Sequence, residues 1–243
     1  MSDSDLARRL MTLTDLTSLN DADDAASVRA LCLLAREAPA SPASVCIWAR
    51  WIPDALQSLQ GSGIPVCAVA NFPAGAAVPA TAATETTAAI AAGAAEVDVV
   101  FPYRALLAGD SRAGLDLVRA CREACAEHAR LKVILETGQL GSAAHIRHAA
   151  EIAVEGGAHF LKTSTGKTQP AATPEAAAVL LDVIATCGRP VGFKASGGIR
   201  SIDDAAVYLT LYERSFGSGS AVPGNFRIGA SSLFKELLAE LKA

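Results

Sequence analysis

Two lysines close short apolar β-type runs, Lys162 at the end of AHFLK (158–162) and Lys194 at the end of PVGFK (190–194). A lysine with its ordinary pKa of about 10.4 is a free amine in only about 1 molecule in 2,500 at pH 7, which makes it a poor nucleophile. A second ammonium about 4 Å away, at an effective dielectric of about 20, adds about 4 kcal/mol to the cost of protonation and brings one of the two close to neutrality. If the two runs are adjacent strands of one sheet, their ends lie about 4.8 Å apart at the backbone. The chemistry such a pair supports is attack of an amine on a carbonyl. The repulsion is symmetric, so it does not say which lysine is the nucleophile. A third run, EVDVVF (96–101), puts Glu96, Asp98 and Val100 on one strand face and Val97 and Val99 on the other. Carboxylates beside so much apolar surface need partners. Each charge taken alone is explained by a side chain reaching solvent, or by an ion network joining the lysines to Asp98, Glu96 or Glu136; together they favour a site.

Glycine-rich segments follow the same runs: TSTGK (163–167), SGG (196–198) and GASS (229–232), the last opening a helix with Phe234, Leu237, Leu238 and Leu241 on its apolar face. Backbone amides at Gly166, Gly197, Gly198 and Gly229, the hydroxyls of Ser231 and Ser232 at a helix N-terminus, and Lys167 make a candidate phosphate cradle. Helix capping by a serine and tight turns at the glycines would explain them without a ligand, but capping and anion binding are compatible. Other motifs fail. LKTSTGKT (161–168) has Leu161 where a P-loop needs glycine, and the GSG segments at 61–63 and 217–219 have Val66 and Val222 where a dinucleotide fingerprint needs its third glycine. His128, His145 and His148 fall on predicted helices, and His159 has strand parity opposite to Lys162. The six cysteines lack CxxC spacing and read as small buried hydrophobes, Cys121 and Cys125 sharing a helix face. No metal site is expected.

Positioning these residues requires eight strands: MTLTD (11–15), ASVCIW (43–48), IPVCAVA (64–70), EVDVVF (96–101), LKVILE (131–136), AHFLK (158–162), PVGFK (190–194) and NFRIG (225–229). They recur at the length of a βαβ unit. Between them lies helix punctuation: Asn20 ahead of Val28, Leu31, Cys32 and Ala35, Thr173 and Pro174 opening a helix that Gly188 ends, and Ser201 with Asp204 opening the next. Eight alternating units without a linker predict one α/β domain over 1–243, a closed (β/α)₈ TIM barrel in preference to an open doubly wound sheet. Barrels of this kind carry their chemistry at the carboxyl ends of the strands.

The composition fits. The chain has 243 residues, a formal charge of −4, 51% hydrophobic residues and 19% charged ones, against disorder and against a phosphate-tracking nucleic-acid binder. Its 51 alanines raise the hydrophobic share without any apolar stretch long enough to span a membrane, and MSDSDLARRL does not read as a signal peptide. A cytoplasmic location is expected. The segment 213–224, ERSFGSGSAVPG, predicts a mobile approach to the eighth strand.

The blocks TDLTSLND (14–21), EVDVVFPYRALLAGD (96–110), LKVILETG (131–138), FLKTSTGKT (160–168), GFKASGGIR (192–200) and RIGASSL (227–233) resemble the deoxyribose-phosphate aldolases, class I Schiff-base aldolases of (β/α)₈ fold. The resemblance implies that Lys162 is the Schiff-base lysine, that Lys194 depresses its pKa and shuttles protons, and that Asp98 is the acid/base acting through a water. Phosphate would sit against Gly166, Lys167, Gly197, Gly198, Gly229, Ser231 and Ser232. The implied reaction is reversible cleavage of 2-deoxy-D-ribose 5-phosphate to D-glyceraldehyde 3-phosphate and acetaldehyde, in deoxynucleoside catabolism, by a homodimer with no metal and no cofactor. The chain stops at Ala243 without the longer tyrosine-ended tail of some members, so no tail-borne proton relay is assigned. The other readings are a Schiff-base aldolase of related phosphosugars and a non-catalytic sugar-phosphate sensor.

Overall fold

Runs such as VCAVA (66–70) and EVDVV (96–100) are buried along their whole length, as strands of a parallel sheet covered on both faces must be. The computed structural model describes residues 2–242. Eight parallel strands pair in chain order and close into a barrel. They are β1 (Thr14–Thr17), β2 (Ser44–Ile47), β3 (Val66–Ala70), β4 (Glu96–Val100), β5 (Arg130–Ile134), β6 (Phe160–Lys162), β7 (Gly192–Ser196) and β8 (Phe226–Ala230). The connecting helices are α2 (Ala25–Arg36), α3 (Ile52–Ser58), α4 (Pro79–Ala91), α6 (Ser111–Cys125), α8 (Ala143–Glu155), α9 (Pro174–Thr186) and α10 (Ile202–Phe216), and α11 (Ser232–Glu240) follows the last strand. A helix α1 (Asp3–Thr12) precedes β1, and one-turn helices α5 (Tyr103–Leu107) and α7 (Thr137–Leu140) sit in the loops after β4 and β5. The expected (β/α)₈ barrel is therefore the observed fold.

Strand alternation sorts the side chains. Val45, Ile47, Val97, Val99, Leu131, Val133, Leu161 and Phe193 enter the apolar core shared with the helices. Residues of opposite parity, among them Asp15, Asp98, Lys132, Lys162, Lys194 and Arg227, meet one another inside the barrel. Register places Lys162 beside Lys194, Lys194 beside Arg227 and Asp98 beside Lys132.

The anticipated strands are all present, with no end moved by more than three residues. The largest change is at the N-terminus, where Met11 and Thr12 finish α1 instead of starting a strand. A Ser2–Asp5 capping box starts that helix, and Ala7, Leu10 and Met11 bury its inner face, so local capping outweighs the β character of MTLTD. α2 begins at Ala25 with Asp24 as its cap, because the Asp23 carboxylate accepts from Asn20 N and Ser18 Oγ and holds residues 20–23 in a turn. His128 lies in the turn after α6 and not on a helix. The Thr173 cap, Pro174 and the Ser201–Asp204 capping box are as read from sequence. The approach to β8 is pinned: Gly219 N donates to Glu213 Oε1, Val222 N to Asn225 Oδ1 and Asn225 Nδ2 to Ser220 O. Among the described residues no helix is long and apolar enough to cross a membrane.

Candidate active site

Charges inside a barrel survive only if each finds a partner, and here they find one another. Asp98, fully buried on β4, is the hub. Its Oδ2 accepts from Lys162 Nζ and from Lys194 Nζ, both at 2.8 Å. Its Oδ1 accepts from Lys132 Nζ at 2.9 Å and from Cys67 Sγ at 3.2 Å. Lys194 also donates to Asp15 Oδ2 at 2.5 Å. Below this layer Lys132 lies 2.6 Å from Glu96 Oε2, and Arg227 joins Glu96 Oε1 at 2.8 Å to Asp15, its guanidinium over the Phe160 ring.

The network holds four cations and three carboxylates, and the cations are not equivalent. Lys162 touches one carboxylate, Lys194 two and Lys132 three. Burial alone would lower the Lys194 pKa, but Asp15 and Asp98 outweigh it and hold the ammonium above the ordinary lysine range. Lys132 is raised in the same way, against burial, by Asp98, Cys67, Glu96 and Asp15. Burial would raise Asp98; Lys132, Lys162 and Lys194 prevail and hold it well below the usual carboxylate range. The two lysines are thus brought together as expected, but not as a bare ammonium pair. A shared carboxylate oxygen lies between them, and Asp15 breaks their symmetry by fixing the charge on Lys194.

At the carboxyl end of the barrel a cavity of about 250 Å³ opens beside this cluster. All seven residues of the anticipated cradle line it: Gly166 and Lys167 after β6, Gly197 and Gly198 after β7, Gly229 on β8, and Ser231 with Ser232 at α11. Ser231 occupies the N-cap position without a side-chain capping bond, so capping alone does not account for its hydroxyl. Lys167 Nζ donates to Leu19 O at 2.7 Å across the mouth. The cavity adjoins the lysines through Gly229, where a Cβ would stand 2.9 Å from Lys194 Cε. Lys162 is outside the lining, 2% exposed beneath it.

Sequence reading passed over Asp15, Lys132 and Arg227 as members of the charged cluster. Their signal was present for Lys132 and Arg227, each a charge between apolar neighbours within a strand, and weaker for Asp15, which lies between Thr14 and Leu16. It also offered Glu136 as a partner for the lysines. Glu136 instead accepts from Thr165 N at 3.2 Å and Thr165 Oγ1 at 2.6 Å, because the chain turns away after β5. In-register Cys46 and Cys67 come together with Asp98, their potential ligand atoms within 4.8 Å of one another. The Cys67 sulfur and the Asp98 oxygens already receive ammonium protons, so this group is a poor host for a further cation. His159 lies away from the site: its Nδ1 accepts from Leu131 N, and burial with Arg122 and Arg130 nearby lowers its pKa.

A barrel that gathers lysines around a buried carboxylate beside a glycine-lined cavity at its carboxyl end has the layout of an aldolase, and comparison with known proteins agrees. A sequence model of the DeoC/LacD family aldolases matches residues 9–222, and the chain belongs to that family. Among solved structures, a protein from Toxoplasma gondii ME49 provisionally assigned as a deoxyribose-phosphate aldolase is 28% identical, with a TM-score of 0.89 over 98% of this chain and 95% of that one. One with the same provisional assignment from Coccidioides immitis is 30% identical, with a TM-score of 0.83 over 95% and 86%. The deoxyribose phosphate aldolase from Aeropyrum pernix, described as tetrameric, is 27% identical, with a TM-score of 0.79 over 100% and 93%.

Proposed function

We propose that the protein reversibly cleaves 2-deoxy-D-ribose 5-phosphate into D-glyceraldehyde 3-phosphate and acetaldehyde through a Schiff base on Lys162. The observation that carries this reading is the pair of 2.8 Å bonds from Lys162 and Lys194 to one oxygen of Asp98, next to a cavity suited to a phosphate. Lys162 gives up one ion pair on becoming a neutral amine and Lys194 would give up two, so Lys162 is the amine that attacks. Its lone pair adds to the aldehyde carbon of the open-chain sugar, and loss of water leaves an iminium. The C3 hydroxyl then yields its proton through a water to the ionised Asp98, the C2–C3 bond breaks with its electrons drawn into the iminium, and glyceraldehyde phosphate departs. The enamine takes a proton at C2, and hydrolysis releases acetaldehyde and the free lysine. Lys194, held protonated, has a proton to give, and Asp98, held ionised, keeps the departing and arriving charges paired. Proton transfers of this kind contribute roughly 10²–10⁴-fold.

Supplying deoxyribose 5-phosphate and following acetaldehyde release tests the proposal. Turnover that exceeds that of ketose phosphates and keto acids supports it; turnover of those compounds in preference points to a different Schiff-base aldolase.

A further inference from the structure

Glu136 is fully buried and belongs to none of the buried ion pairs among the described residues. It also sits at φ 56°, ψ 55°, in the left-handed region that a long side chain rarely adopts. An interior carboxylate without a cation and a strained backbone are both unfavourable, and such features persist only where the surroundings enforce them, most often at functional sites. The enforcing contacts are visible. Leu135 N donates to Lys162 O and Thr137 N to Thr163 O, both at 2.9 Å, and the turn between them aims the carboxylate at Thr165. One carboxylate oxygen accepts the Thr165 amide and the other its hydroxyl, and the hydroxyl oxygen accepts Lys167 N at 3.0 Å. These bonds hold the Thr165–Lys167 wall of the glycine-lined cavity against the β7 loop, where a Cβ on Gly197 would come within 3.2 Å of Gly166 Cα.

We propose that Glu136 is a positioning residue for the anion cradle: acting through Thr165, it fixes Gly166 and Lys167 where they receive a phosphate group, and so makes the enzyme prefer phosphorylated over non-phosphorylated sugar. The role rests on the reading above for the identity of the sugar, but not for the anion. The sign of the effect distinguishes it from simple electrostatics. A carboxylate behind the cavity wall repels an anion, so by charge alone its removal strengthens phosphate binding, whereas by loss of positioning its removal weakens it.

Titration calorimetry with inorganic phosphate on the wild type and on Glu136→Gln reads that sign directly. The expected result is a Kd at least tenfold weaker in the variant, about 1.4 kcal/mol. The ratio of kcat/KM for deoxyribose 5-phosphate to that for deoxyribose is expected to fall by a similar factor. Phosphate binding equal to or tighter than wild type, equal losses on both sugars, or a wild type without measurable phosphate affinity overturns the role. If Glu136→Gln does not fold, Thr165→Val, which keeps the carboxylate but removes the hydroxyl that joins it to Lys167 N, carries the same expectation, and Thr165→Ser restores binding. A wild type that binds phosphate yet leaves deoxyribose 5-phosphate intact refutes the proposed reaction and leaves the positioning role to the phosphate data.

Discussion

One oxygen, Asp98 Oδ2, receives protons from two lysines, and this contact sets what each lysine can do. With Asp15 also on Lys194, that ammonium keeps its proton, and its charge competes with Lys162 for Asp98. Replacing Lys194 by leucine removes the competitor and leaves Asp98 to Lys132 and Lys162, so the Lys162–Asp98 ion pair is harder to break. The rate of borohydride trapping with acetaldehyde in Lys194→Leu is expected to fall at least tenfold at pH 7, with its pH profile moved to the alkaline side; an unmoved profile contradicts the competition. On the proposed reading, Lys167 meets a different part of the substrate. It lines the cavity and reaches Leu19 O, so Lys167→Ala is expected to raise KM for phosphorylated substrate with little change in kcat, the pattern of lost ground-state binding. Equal losses on deoxyribose and its phosphate would contradict that assignment.

The strands place these groups, and Gly229 shows how narrow the tolerance is. A Cβ there would stand 2.8 Å from Ser196 Oγ and 2.9 Å from Lys194 Cε. Gly229→Ala should push the Lys194 side chain off Asp98 and lower kcat at least tenfold while the barrel still folds; near wild-type kcat with unchanged thermal stability would show that the clash is absorbed elsewhere. Much of this arrangement was legible in the sequence, because eight alternating β/α units point to the barrel and period-two alternation sorts which strand residues share a face. Lys162, Lys194 and Asp98 stood out since each is a charge in an apolar strand. Lys132 and Arg227 bear the same mark, but how Asp15 meets Arg227 and Lys194 depends on closure of β8 onto β1, a contact more than 200 residues apart in sequence. Glu136 was misplaced for a related reason: alternation stops at the end of β5, where the left-handed turn sends its carboxylate to Thr165. Only the last two residues of α1, Met11 and Thr12, carry the β character of the run that follows, and the helix capped by Ser2 and Asp5 extends through them.

The molecule as a whole is held by an ionic interior as well as an apolar one, and its stability should show this at both ends of the pH scale. Burial would raise the Asp15 pKa, but Lys194, Lys132 and Arg227 hold it below the usual carboxylate range, as the three lysines do for Asp98. Both folded values lie below the unfolded value of about 3.9. Their contribution is therefore present above that pH and lost as pH falls below about 4, where the unfolded chain takes up protons that the folded one refuses. Lys194 is the reverse case, its contribution complete below about 10.4 and lost as pH rises further. Chemical denaturation across pH 2–5 should show stability dropping with acidity, and Asp15→Asn should flatten that slope; parallel curves would show that Asp15 does not carry it. The most direct test of the account itself is intact-mass analysis after incubation with acetaldehyde and borohydride, followed by peptide mapping. It predicts one added ethyl group on Lys162, absent from Lys162→Ala. A label that survives that substitution, or maps to Lys194, would contradict it.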